Sequence, residues 1–275
     1  LVCGRPITVS RGHCWMMGGV AEGIEGVRAA VRTLVHEGAD FIKVMTTGGS
    51  TLGTNPNLPS FTREEVQALV DEAHRQGRWV AAHCHATAGI RNALDADADI
   101  LYHCSFRGPD GSLAYDPRLA ERIAKGGKWV DPAIHVVTRS YQALKRKEQS
   151  GPLTDEERQR LAFLEGRSSQ RLEVCRRLLA DGVKFIAGTD CGWGYYPFGE
   201  YVDELEAMAQ VGLTPMQAII AGTADAAKAI GLLDRAGTVE VGKEADLLVV
   251  EGDPSTTIRD LSRVVAVFKS GQRVR

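Results

Sequence analysis

From residue 41 onward the chain repeats one pattern: a short apolar, β-rich run, a glycine or polar turn, then apolar residues at helical spacing. Alternation of this kind predicts parallel βα units. Predicted strands cover 7–10, 41–45, 79–84, 100–104, 128–134 and 183–189. The helices between them carry their own signals. Thr62 is placed as an N-cap with Glu65 three positions on, and Val66, Leu69 and Val70 share one face up to Gly77. Asp116-Pro117 opens another helix. The charged stretch 138–181 reads as a helical excursion, broken at Gly151-Pro152 and restarted by a second capping pair, Thr154 and Glu157. Near the end the pattern changes, and 238–243, 245–250 and 264–269 read as β structure.

An α/β fold follows, and its closed form is a TIM-like (β/α) barrel. Six strands are legible where such a barrel needs eight, so the barrel is expected to be N-terminally incomplete. An open doubly wound sheet is the alternative, since six parallel strands also suit that class. The domain division expected is a barrel over 1–235 and a β tail over 236–275, the tail forming part of a composite β-sandwich.

Composition narrows the function classes. With 44% hydrophobic and 25% charged residues the chain can bury a large core, and disorder is excluded. A net charge of −2 provides no field for nucleic acid or an anionic membrane, so a small-molecule substrate is expected instead. No apolar run is long enough to span a bilayer. The six cysteines lack zinc-finger spacing and several sit in apolar runs, which suits a reducing, cytoplasmic setting.

Chemistry concentrates at predicted strand ends. In a parallel barrel the C-terminal ends of the strands converge on one face, so polar residues there meet although distant in sequence. Lys43 lies within Phe-Ile-Lys-Val-Met, His83 and His85 close the run ending at Cys84, His103 follows Ile-Leu-Tyr, and Asp190 ends Gly-Thr-Asp. A single histidine of this kind is more often a hydrogen-bonded core residue. Two on consecutive strands, with an aspartate, form a donor set for zinc or a similar divalent ion. Lys43 in an apolar strand needs an acidic partner or a neutral amine, and a neutral amine can take up carbon dioxide to become an anionic carbamate.

These motifs, with Thr47-Gly48-Gly49 and the tail Gly237-Thr-Val-Glu-Val-Gly-Lys-Glu-Ala-Asp246-Leu, resemble the amidohydrolase superfamily, and within it the Xaa-Pro dipeptidase and imidazolonepropionase-like branch. The resemblance runs over essentially the whole chain. It implies metal-dependent hydrolysis of an amide bond in a dipeptide or N-acyl amino acid, with water activated by the metal. It implies that a carboxylated Lys43 bridges two ions, that His83 and His103 hold one of them, and that Asp190 binds the other and serves as general base. His13 and His85 are implied as substrate-binding residues, His85 having a structural or orienting role as its alternative. Trp193, Tyr195 and Tyr196 are candidates for a pocket lining, with packing at the rim as the plainer reading.

The chain also departs from that pattern. Members of the superfamily carry a His-x-His pair on the first barrel strand, whereas here no such pair precedes Lys43 and the sequence opens on Leu1. The expectation is therefore a longer gene product holding two metals, with this chain alone retaining at most one tightly, zinc being the default. Exposed sheet edges predict self-association or association with the absent N-terminal segment. Two further readings stay open: cyclic-amide hydrolysis of the imidazolonepropionase type, and a catalytically inactive truncated barrel. Phosphotriester or lactone hydrolysis would use the same chemistry.

Overall fold

The computed structural model describes residues 1–192 and 197–275. By contacts the chain forms two compact units: Leu1–Asp131 with Ala180–Lys184, and Pro132–Leu179 with Phe185–Arg275.

In the first unit, α1 (Gly23–His36) precedes β1 (Ile42–Met45), and α2 (Arg63–Arg75), β2 (Val80–Ala86), α3 (Thr87–Asp95), β3 (Ile100–Arg107), α4 (Pro117–Lys125) and β4 (Trp129–Asp131) then alternate. Strands β1 to β4 pair in parallel in sequence order. At the far edge of this sheet is β5 (Lys184–Phe185), where the chain passes into the second unit. Ile42, Val44, Val80, Ala81, Ala82 and Leu101 are fully buried, as befits strands whose side chains are covered on both faces.

Helix α1 buries Val27, Val31 and Leu34, a stripe at helical spacing. Helix α2 starts at the predicted capping box, with Thr62 accepting from Glu65 N and Glu65 accepting from Thr62 N. It buries Val66, Leu69, Val70 and Ala73. Glu72 is 1% exposed, yet its charge is compensated: Arg32 on α1 approaches it with Nε at 2.9 Å and Nη2 at 3.1 Å, and Arg75 also pairs with it. This fork ties α1 to α2. Helix α4 opens at Asp116, whose carboxylate accepts from the backbone of Arg118 and Leu119, with Pro117 at the first helical position.

The second unit holds the excursion as α5 (Ile134–Ser150) and α6 (Asp155–Ala180), then α7 (Tyr201–Gln210), α8 (Pro215–Ala221) and α9 (Ala224–Ala229). The restart before α6 is the reciprocal Thr154 and Glu157 pair expected from the sequence. An antiparallel sheet of β6 (Leu247–Val250), β7 (Val264–Lys269) and β8 (Gln272–Arg273) closes the chain.

Four predicted strands change in the structure, and of 128–134 only Trp129–Asp131 is strand, Ile134 already opening α5. The segment 7–10 contributes only isolated bridges, Ile7 with Val44 and Thr8 with Val20. The run 183–189 is regular only at Lys184–Phe185. The segment 238–243 is not a strand, and its Val239 and Val241 are fully solvent-facing. There the alternation of valine with polar residues mimics a half-buried strand, but among the described residues no strand pairs with it, and pairing is what stabilises a strand.

Candidate metal centre

Each predicted histidine is positioned by backbone bonds between adjacent strands. Beyond β1, Thr46 donates to the His83 carbonyl oxygen through both its amide (3.0 Å) and its hydroxyl (2.7 Å). The Thr47 hydroxyl accepts from His85 N at 3.0 Å. Gly48 is forced by crowding, because a Cβ there would lie 2.4 Å from the Asn55 backbone. Its carbonyl oxygen lies 3.1 Å from His83 Nε2. A carbonyl can only accept, so Nε2 carries the proton and Nδ1 keeps its lone pair. A metal-binding imidazole is commonly arranged this way, with one nitrogen donating to a carbonyl and the other left to ligate.

His103 reaches the site by a different route. In register, His83 pairs with Tyr102 and Cys84 pairs with His103. Regular alternation would therefore send His103 to the face opposite His83. Instead β3 turns through the left-handed region at His103 (φ 69°), Cys104 (φ 47°) and Phe106 (φ 49°), and the register shifts between Cys84 and Ala86. Bends of this kind re-aim side chains and cluster at functional sites. The result is a triangle of rings, with centroids 4.6 Å apart for His83 and His85, 4.8 Å for His83 and His103, and 4.7 Å for His85 and His103. Nitrogens of all three lie within 4.8 Å of one another, so the group meets the geometric requirement for one ion.

His13 joins this cluster, its ring 4.6 Å from that of His83. Lys43 Nζ lies 3.4 Å from the centroid of the Tyr102 ring, a cation–π contact, and Lys43 is half-buried. Burial, then the charge of Lys43, holds His13 down at about 4. His83 is pushed well below the ordinary histidine range by burial first, then by His13 and Lys43, against the opposing bond to Gly48. Both rings are thus neutral at pH 7, the form in which imidazole ligates metal. His85 has Nδ1 engaged, 2.8 Å from Ser105 Oγ. The donor set fits a divalent ion: borderline nitrogen donors, closely spaced, His83 and His103 buried and His85 partly so.

Asp190 belongs to the second unit, where it is exposed with φ 50°, beyond the end of β5. Trp193, Tyr195 and Tyr196 lie outside the described residues.

The second unit also contains a polar constellation that the sequence reading did not single out. His135 sits in the first turn of α5, with Nε2 3.2 Å from Glu200 and 3.9 Å from Asp203. Arg139 pairs with Glu200, while Arg259 pairs with Asp203 at 2.6 Å and with Glu206. Beneath them Glu204, fully buried, accepts from Ile134 N at 2.9 Å and His135 N at 2.6 Å. A cavity of about 270 Å³ is lined by these groups with Arg146 and Gln142. The available signal was the position of His135 directly after a predicted strand, the same signal used for His83 and His103.

Residues 7–274 match the model of the amidohydrolase family. Ochratoxinase of Aspergillus niger is 32% identical over 259 residues, 92% of this chain and 50% of that protein. Imidazolonepropionase of Syntrophobacter fumaroxidans is 33% identical over 111 residues, 38% of this chain and 26% of that one. A solved Xaa-Pro dipeptidase with methionine bound in its active site superposes with a TM-score of 0.82 at 29% identity, covering 98% of this chain and 66% of that structure. The chain therefore spans about half to two thirds of the proteins it resembles. A parallel α/β sheet ending in a buried histidine cluster, and a family match running from Ile7 to Val274, establish that this chain belongs to the amidohydrolase family, a family of hydrolases with TIM-like folds.

Proposed function

We propose that this chain is the greater part of a metal-dependent hydrolase that cleaves an amide bond in a dipeptide, an Xaa-Pro dipeptide included, or in an N-acyl amino acid. The observation that carries the reading is the triangle of closely spaced imidazoles on β2 and β3, with His83 and His103 buried and His83 held neutral by that burial. His83 and His103 would hold a divalent ion, zinc by donor type, with Lys43, carboxylated, as its bridging ligand, and Asp190 would bind a second ion in a longer gene product. A divalent ion bound there supplies Lewis-acid polarisation of the scissile carbonyl and acidifies water. Asp190 takes the proton from the attacking water and delivers it to the departing amine. His13 and His85 hold the substrate's polar atoms. The barrel is assigned to 1–235 and the β tail to 236–275. Exposed Leu248, Val249 and Val265 on the tail sheet support association with another chain or segment.

The test is hydrolysis by zinc-loaded chain of a panel of Xaa-Pro dipeptides, other dipeptides and N-acetyl amino acids, read as free amino acid released. Release that disappears in Asp190→Asn supports the reading, and a metal-replete chain that releases nothing refutes it. Elemental analysis should find no more than one tightly held ion per chain. The partial likeness to imidazolonepropionase favours one second reading, cyclic-amide hydrolysis, which would give ring opening without release.

A further inference from the structure

The loop after β1 reaches His13 in the histidine cluster. Thr51 is buried and grips His13 twice. Its hydroxyl lies 2.8 Å from His13 Nδ1, and its backbone amide donates to the same nitrogen at 3.4 Å. An amide N–H can only donate, so Nδ1 is an acceptor. The hydroxyl oxygen in turn accepts from Cys14 N at 3.0 Å, which leaves its own proton for Nδ1. Neutral imidazole has one N–H, so the proton of His13 resides on Nε2. Gly49 sets the other edge of the ring, for a Cβ there would fall 2.5 Å from Nε2 and from Cδ2. Thr54 closes the loop on itself, bonding Gly49 N at 3.1 Å and the Thr51 carbonyl at 2.7 Å.

The geometry points to Thr51 as the positioning residue that locks His13 in its Nε2–H tautomer, making His13 a hydrogen-bond donor to a carbonyl or carboxylate oxygen of the substrate and not a metal ligand. The inference rests on the substrate-binding role given to His13 above. A protonated Nε2 has no lone pair for a cation, and Nδ1 is already committed to Thr51. A donor at this position selects substrates that carry an oxygen acceptor there, and a lone pair would select against them.

Two measurements decide the matter. Long-range proton–nitrogen correlation on ¹⁵N-histidine-labelled chain at neutral pH, with His13 assigned by its loss in His13→Gln, reads the tautomer directly. Wild type and Thr51→Ser should show a bare Nδ1 and a protonated Nε2, whereas Thr51→Val, which loses the 2.8 Å hydroxyl bond and keeps only the long 3.4 Å amide contact, should show both tautomers in exchange. A proton on Nδ1 in the wild type overturns the inference, and that spectrum decides even if Thr51→Val does not fold. A wild-type pattern in folded Thr51→Val overturns it too. On a dipeptide hydrolysed by the zinc-loaded chain, Thr51→Val should lower kcat/KM about 10–100-fold, the usual cost of losing a group that orients an active-site histidine, and Thr51→Ser should recover most of it. Unchanged kcat/KM in Thr51→Val counts against the role. Should wild type hydrolyse nothing in the panel, the proposed function fails, and the tautomer remains measurable independently.

Discussion

The two polar clusters of this chain differ in how their charge is balanced. In the first unit His13, His83, His85 and His103 come together with Lys43 nearby, His13 and His83 both held below the ordinary histidine range by burial. In the second unit His135 meets Glu200 and Asp203, and both carboxylates are already matched by Arg139 and Arg259. Both groups satisfy the spacing for a cation. Spacing alone therefore does not identify a metal centre. The first cluster is built of imidazoles, with His83 donating from Nε2 and keeping Nδ1 as an acceptor, while the second has guanidinium groups where an ion would supply the positive charge, and displacing them would leave arginines to be resolvated.

That contrast can be broken most sharply by deleting ligands. The double variant His83→Ala/His103→Ala should abolish tight zinc binding in isothermal titration, while His135→Ala should leave stoichiometry and affinity as in the wild type. Metal loss in His135→Ala would reverse the assignment.

Acidification comes next. His13 has a folded value of about 4 against an ordinary value of 6.5, so the unfolded chain binds more protons between these limits. Stability is then fully present above pH 6.5, falls as the pH is lowered, and is lost below about 4; the two values correspond to a loss of about 3 kcal/mol in all. Urea unfolding of metal-free chain across this window should reveal the slope, and His13→Gln should flatten it.

In the second unit, Glu204→Leu strands two backbone donors at the start of α5 and should cost about 2–4 kcal/mol by the same denaturation assay, with zinc stoichiometry unchanged. The smallest effect belongs to Arg259→Ala. Its ion pairs are about half exposed, so the loss should stay below about 1 kcal/mol and shrink further in high salt.

Much of this was legible in the residues. Thr62 with Glu65, Asp116 with Pro117, and Thr154 with Glu157 announced three helix starts, because a cap is a local bond between near neighbours. Lys43 and His83 stood out because a polar side chain inside an apolar strand is costly without a purpose. His103 was selected for a strand-end position that pairing alone does not give it. Its arrival beside His83 depends on left-handed backbone at His103 and Cys104, a conformation that their side chains do not advertise. Thr51 carried no signal of its own in the sequence, since its bond to His13 spans 38 positions. Val239 and Val241 had the right alternation for a strand and, among the described residues, no strand to pair with.

The sequence by itself determined the order of strands and helices, the helix caps and the identity of the chemical groups, all of which follow from periodicity and from contacts between residues a few positions apart. Only the tertiary structure decided which face His103 presents, which nitrogen of His83 and His13 carries its proton, and that the acids beside His135 carry their own arginine counter-charges. Those depend on partners brought together from distant parts of the chain, and on a bend whose local cost is offset by packing around it.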